Sequence, residues 1–389
     1  MAAKMPPRGA WPESASRPLL TPIQPSVVYT TDSPDTLDAM YGGEVPGFTY
    51  AREGHPNAFA LAARIDAMEG TEGGLIVGSG MAAVTAALLG AAKAGDHVLA
   101  GDQLYGRSLR LLSETLPALG IATSVADPTD ISAIAAALRP ETKLILIEVV
   151  SNPTIRVADV TGIAALAREK GVLLAVDNTF TTPRAFRPFE HGADIVIHSV
   201  TKLLAGHSDA TLGYVAARDP AVRARIETLC VTMGFTSSPF DCWLAERGLF
   251  TFDLRYERAE ANARALADRL ASLPGVVRVL YPTRADHPDH NRAAALLGAH
   301  GSHMVSFEIR GGRAAANALV RAAEGIAFAP TLGDVATTLS HPASSSHRGL
   351  SAERRAELGM PEGFFRVSAG CEDPQTLCDT FARAVAAAT

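Results

Sequence analysis

Val172-Leu-Leu-Ala-Val-Asp177 and Ala193-Asp-Ile-Val-Ile-His-Ser-Val-Thr-Lys202 decide how this chain folds. Each run carries a short apolar, β-prone stretch closed by polar groups, which predicts two buried strands whose ends open on a site. An amine and a carboxylate are thereby expected at one sheet edge, the place where open α/β sheets bind ligands. Lysine is scarce: Lys4, Lys93, Lys143, Lys170 and Lys202 are all of them, among 35 Lys and Arg residues. Where any surface cation would serve, the chain uses arginine, which neither forms an imine nor gives up its proton near neutral pH; a partly desolvated lysine does both. The plain alternative is a strand-end lysine, solvated or paired with Asp209.

The 389 residues suffice for a large and a small domain, and 47% hydrophobic with 20% charged residues is ordinary for a globular protein. A formal net charge of -6 with no basic cluster argues against a nucleic-acid surface and favours a small-molecule substrate. Cys230, Cys242, Cys371 and Cys378 show neither Cys-x-x-Cys spacing nor a dense framework, so no metal site and no disulfide scaffold is expected. The N-terminal stretch lacks the apolar core of a signal peptide, and no apolar run reaches the roughly 20 residues of a membrane span. A cytoplasmic protein, with no membrane or nucleic-acid partner, is the expectation.

Residues 1–55 are rich in proline and keep no period, which predicts an extended arm ordered only against another surface. From Pro56 the pattern changes. Helices are expected at 57–69, 80–93, 107–119, 130–138 and 161–170. They alternate with strands at 75–78, 97–101, 121–126, 143–149, 172–177, 194–199 and 212–217. Such alternation predicts an α/β fold with a mostly parallel, doubly wound sheet covered on both faces. Helices at 220–230 and 241–272 follow, the second long enough to join two domains. A smaller C-terminal α/β part then has strands near 276–280, 303–309 and 364–368 and helices near 313–323 and 375–388. These limits divide the chain into an arm (1–55), a ligand-binding domain (56–254) and a C-terminal domain (255–389). The aperiodic stretch 330–350 reads as a functional loop.

Gly78-Ser-Gly-Met-Ala-Ala83 follows a strand and opens a helix, where free N–H groups and the helix dipole hold a phosphate. A turn that merely eases strand-to-helix packing is the alternative. The stretch is not the Gly-x-Gly-x-x-Gly dinucleotide fingerprint, which counts against a dehydrogenase. Ser199 and Thr201, flanking Lys202, add hydroxyl donors for the same anion. A phosphate cradle, a lysine and a buried carboxylate for a pyridinium nitrogen are together what pyridoxal phosphate (PLP) requires.

Asp177-Asn-Thr-Phe-Thr-Thr-Pro183 and His198-Ser-Val-Thr-Lys-Leu-Leu-Ala-Gly-His-Ser-Asp209 resemble the signature of the PLP-dependent enzymes of cysteine and methionine metabolism. These transsulfuration enzymes include cystathionine synthases and lyases, methionine γ-lyase and acylhomoserine sulfhydrylases. Tyr50-Ala-Arg52, Ser79-Gly-Met81, Leu104-Tyr-Gly106, Ser151-Asn-Pro153, Thr331-Leu-Gly333, His341-Pro-Ala-Ser344 and Arg366-Val-Ser-Ala-Gly370 match in the same order. The resemblance runs from about residue 45 to the C-terminus. It implies the fold type I, aspartate-aminotransferase-like architecture of PLP-dependent transferases. It also implies a homotetramer built of dimers with shared active sites.

The resemblance further implies that Lys202 anchors PLP covalently and then moves protons between Cα and Cγ, while Asp177 pairs with the ring nitrogen. Gly80 and Met81, with Ser199 and Thr201, would hold the phosphate, joined by Tyr50 and Arg52 from a neighbouring subunit. Tyr105 would stack on the ring and serve as acid or base; Arg366, with Asn152 and Thr331, would clamp the substrate carboxylate. The implied activity is γ-elimination or γ-replacement on an L-amino acid with a leaving group at Cγ. β-Elimination of cystathionine or cysteine is an alternative, and a non-catalytic PLP-binding protein is an alternative of another class.

Three positions depart from the pattern. Pro330 stands where members acting on cystathionine usually have glutamate and methionine γ-lyases an apolar residue; a proline cannot pair with a distal ammonium. Arg107 stands where glycine or cysteine is usual. Pointing inward, it would bind an anionic leaving group or nucleophile, such as a succinyl or phosphoryl ester of homoserine; pointing outward, it is a solvated first-turn arginine. His55-Pro-Asn57 replaces Asn-Pro-Thr, which bears on the arm more than on the chemistry.

Overall fold

A computed structural model describes residues 14–389, so the first part of the expected arm, residues 1–13, lies outside the described residues. Seven strands build the larger sheet: β1 (Leu75–Val77), β2 (His97–Gly101), β3 (Ala122–Ala126), β4 (Thr142–Glu148), β5 (Leu173–Asp177), β6 (Ile195–His198) and β7 (Gly213–Ala217). Their order is β1-β7-β6-β5-β4-β2-β3. The pairs from β3 to β6 are parallel, and β7 runs antiparallel to both β6 and β1. The predicted mostly parallel sheet is therefore present, with an antiparallel edge.

Side chains alternate across that sheet, and the alternation places the site. Leu144, Leu146, Ala175, Ile195 and Ile197 face one core cluster with helix Gly80–Ala91. Ile145, Ile147, Leu174 and Val176 face the other with helix Val160–Lys170. With a period of two, Glu148 and Asp177 continue the first face beyond the apolar positions. They sit directly opposite each other in the β4–β5 register.

The smaller sheet has the order β10-β11-β12-β9-β8, formed by β8 (Val276–Leu280), β9 (Met304–Ile309), β10 (Ala327–Phe328), β11 (Thr338–Ser340) and β12 (Phe364–Ser368). It departs from expectation in the 330–350 stretch, which carries the buried strand β11 and a short turn of 3-10 helix at Pro342–Ser344. β11 is too short and too polar to show a period; pairing with β12 makes it a strand.

Two further expectations need correction. The helix expected over 241–272 is two helices, Pro239–Leu249 and Phe252–Ala271, broken at Thr251 (φ -111, ψ 8). There the Gly248 carbonyl accepts from Thr251 Oγ1 at 3.2 Å and Arg255 Nη2 at 2.8 Å, so side chains replace the continuing helical bond. The arm is not wholly extended either: Ser33 caps a helix over Pro34–Tyr41, its side chain accepting from the Thr36 N–H. The arm is pinned to the body through Asn57, which bonds Gln24 N at 2.8 Å and Pro22 O at 2.9 Å.

The loop after β4 ties the two sheets together. Pro153 O accepts from Ser306 Oγ at 2.6 Å, and Ile155 O lies 3.0 Å from His287 Nε2. Arg156 Nε donates to Asp289 Oδ2 at 2.7 Å, an oxygen that also takes the Val157 N–H at 3.0 Å. No helix among the described residues is long and apolar enough to cross a membrane.

Candidate active site

At the C-terminal ends of β4, β5 and β6, a cavity of about 300 Å³ is lined by Gly80, Met81, Tyr105, Glu148, Asn152, Asp177, Ser199, Thr201, Lys202, Pro330, Thr331 and Arg366, among others. Ten of the predicted site residues thus meet in one place. Tyr50, Arg52 and Arg107 do not line it.

Lys202 follows β6 in a tight turn whose carbonyls are held from below. Arg255 donates to Leu203 O at 2.7 Å and to Leu204 O at 3.1 Å. Gly333 lies on top, at φ +80, where a Cβ would stand 2.4 Å from Leu203 N. The amine donates to Thr331 Oγ1 at 3.4 Å and forms no salt bridge with a carboxylate among the described residues, Asp209 included. Burial, with the Arg366 charge beside it, lowers its pKa from the usual lysine value, so it yields a proton more readily.

Asp177 accepts the Thr179 N–H at 3.0 Å, and Thr179 Oγ1 in turn accepts the Ser199 N–H at 2.7 Å. Burial raises the pKa of Asp177, while the Thr179 hydrogen bonds oppose that rise; a cation placed against it would favour the ionised form. The turn carrying Thr179 is anchored beneath the sheet, where Asn178 Nδ2 donates to Glu69 Oε1 at 2.9 Å.

The turn expected to hold a phosphate is shaped by close approach. A Cβ on Gly80 would stand 2.6 Å from the Ser199 Cβ, so only glycine leaves room there. Ser79 caps the helix, accepting the Ala82 N–H at 3.1 Å. Thr201 serves the backbone as placed: its hydroxyl donates to Leu212 O at 3.1 Å and accepts Leu212 N at 2.9 Å.

Arg366 is 5% exposed in the middle of β12. Nη1 donates to Asn152 Oδ1 at 2.7 Å, Nη2 to Thr331 O at 2.6 Å, and Nε has no partner. Burial lowers its pKa to about 10, and no carboxylate among the described residues balances it. Such a cation favours an incoming carboxylate. Tyr105 is 43% exposed at the rim, its backbone N–H donating to Glu148 Oε1 at 2.8 Å.

Tyr50 and Arg52 lie elsewhere on the same chain. The Arg52 guanidinium stands 5.3 Å from the centre of the Tyr50 ring and reaches Val231 O at 3.5 Å. Arg107 is exposed. Sequence reasoning passed over Glu148, Thr179 and Arg255; the polar residue ending β4 opposite Asp177 was the available signal for the first.

A glycine-lined helix start, two hydroxyls, an unpaired amine and a buried carboxylate in one cavity fit PLP. The family model for Cys/Met metabolism PLP-dependent enzymes matches residues 8–386. The chain belongs to that family. An L-methionine gamma-lyase of Pseudomonas putida is 37% identical to it over 363 residues, 93% of this chain and 91% of the relative. An O-succinylhomoserine sulfhydrylase of Pseudomonas aeruginosa is 38% identical over 349 residues, 90% and 86% of the two chains. A Campylobacter jejuni protein solved with N′-pyridoxyl-lysine-5′-monophosphate superposes with a TM-score of 0.92 at 28% identity, covering 97% of this chain and 98% of that one. As a member of the transsulfuration family the protein is a PLP-dependent lyase or synthase/sulfhydrylase of methionine and cysteine metabolism, with the fold type I architecture that its resemblance implied.

Proposed function

We propose that this enzyme carries out γ-elimination or γ-replacement on an L-amino acid bearing a leaving group at Cγ. One observation carries the substrate reading: Thr331 is bonded both to the Lys202 amine and to the Arg366 guanidinium. That bridge holds an amine and a carboxylate receptor on one residue of the cavity wall, the two groups an α-amino acid calls for. Bound PLP supplies an electron sink for charge that develops at the substrate's Cα.

The chain's own residues do the rest. Asp177 would pair with the ring nitrogen and keep it protonated. Gly80, Met81, Ser199 and Thr201 would hold the phosphate, Thr201 once its hydroxyl leaves Leu212. Arg366, with Asn152 and Thr331, fixes the substrate carboxylate. Lys202 anchors the cofactor and, desolvated, passes a proton from Cα toward Cγ. Tyr105, at the rim, donates to the departing group. Pro330 lines the wall without a side-chain donor, which disfavours a substrate with a distal ammonium. β-Elimination draws on the same residues and is the second reading.

Exposed Leu19, Ile23, Val27, Val28, Tyr41 and Tyr50 support an arm (1–55) that covers a second subunit. In that arrangement Tyr50 and Arg52 complete the partner's phosphate site, within a homotetramer of dimers in the cytoplasm. Residues 56–254 form the PLP-binding domain and 255–389 the C-terminal domain. Arg107, exposed beside Tyr105, attracts an anionic leaving group or nucleophile at the cavity mouth. Equal losses in kcat/KM for Arg107→Ala on charged and neutral homoserine esters would end that assignment.

The test is the visible spectrum of the purified protein, followed by a screen for α-keto acid and released thiol over homoserine esters, methionine, cystathionine and cysteine. A protein that stays colourless with added PLP would overturn the site. Lys202→Ala should lose the covalent absorbance band and nearly all turnover.

A further inference from the structure

Glu148 ends β4 in the cavity wall. Its Oε1 accepts the Tyr105 N–H, while Oε2 is buried with no partner. Directly across the parallel β4–β5 register, on the same face, stands Asp177. Two carboxyl groups side by side in a dry wall do not both ionise near neutral pH. Asp177 holds the better claim to the charge: it accepts the Thr179 N–H, whose residue is itself locked by Ser199. No cation bonds Glu148 among the described residues. The remaining ionisable groups of the cavity, Tyr105, Lys202 and Arg366, lie on other elements, and the two cations bond Thr331 rather than Glu148.

We propose that Glu148 is a positioning residue that works as an uncharged acid: its carbonyl oxygen fixes the backbone of Tyr105, and its neutrality leaves Asp177 the single carboxylate of the cavity wall. The inference rests on the site reading above. Burial first, and then the charge of Asp177, push the Glu148 pKa well above the usual carboxylate value, in the same direction as the geometry. An ionised Glu148 would instead add a second negative charge beside the ring nitrogen's partner.

The experiment compares PLP affinity and the pH midpoint of the holoenzyme's visible absorbance band across Glu148→Gln, Glu148→Ala and Tyr105→Ala. The glutamine keeps shape, neutrality and the acceptor for Tyr105. It should hold the midpoint within about 0.3 pH units of wild type. Loss of an ionised neighbour would lower that midpoint by about one unit or more, and that result overturns the inference. Glu148→Ala should weaken PLP binding about tenfold, the worth of one buried hydrogen bond left unmade. That loss should not add to the loss from Tyr105→Ala, and full additivity overturns the positioning role. Should Glu148→Ala fail to fold, the glutamine variant alone decides. A wild type without any absorbance band overturns the site reading itself, a result separate from a shifted band in Glu148→Gln.

Discussion

Arg366 shows what a single residue costs and supplies. Its guanidinium is buried on a central strand of the smaller sheet and bonded only to neutral oxygens. An uncompensated buried cation costs the fold several kcal/mol, a cost offset only when an anion arrives. Arg366→Lys keeps the charge but loses the fork that bonds Asn152 and Thr331 together. Its KM for the amino acid should rise about 100-fold, some 2–3 kcal/mol, with the cofactor spectrum unchanged; a spectrum that changes with KM would contradict a role confined to substrate. At this scale the sequence was legible where a strand ended on an unusual group, as at Asp177 and Lys202. It was silent about Glu148, Thr179 and Arg255, whose partners lie 43, 20 and 52 positions away. It also offered Thr201 as an anion donor without showing that Leu212 occupies the hydroxyl.

Between elements, the turn after β6 is clamped from two sides. Gly333 lies so close that a Cβ there would meet Leu203 N, and Arg255 rises from helix Phe252–Ala271 to take the carbonyls below. Gly333→Ala would force a side chain into both a left-handed backbone and the Leu203 amide, at a cost of about 2 kcal/mol or more. Thermal melting of the apoprotein and the bound PLP fraction should fall together. Arg255→Met should cost about 2–4 kcal/mol by leaving the Leu203 and Leu204 carbonyls without their donor, again read as a melting shift. Repetitive apolar runs made β2, β4, β5 and β6 readable to within a residue or two. β11 and the break at Thr251 were not readable, because pairing with β12 and bonding by Arg255 create them, and neither leaves a local pattern.

On the scale of the whole molecule, the β4 loop bound to Ser306, His287 and Asp289 makes the proposed carboxylate clamp depend on both sheets. Two buried histidines near Arg366 contribute to the molecule's response to acid. Burial, with the Arg366 charge, lowers the pKa of His303 to about 3 and of His347 to about 4 from 6.5. Below about 6.5 the unfolded chain takes up protons that the folded chain refuses, so stability falls as pH falls, until each folded pKa is passed. Each histidine contributes up to about 1.4 kcal/mol per pH unit in that window. His303→Asn should flatten the fall in melting temperature between about pH 6 and 4; an unchanged slope would show that other groups govern it. Mixing Lys202→Ala subunits with Arg52→Ala subunits should restore turnover through sites built of intact halves, and no recovery would remove the shared-site arrangement. Lys202 has one more consequence, for peptide mapping. It is the last lysine of the chain. Once borohydride has fixed the cofactor to it, a lysine-specific protease should no longer cut there. The fragments 171–202 and 203–389 should then appear as one, heavier by a single pyridoxyl phosphate.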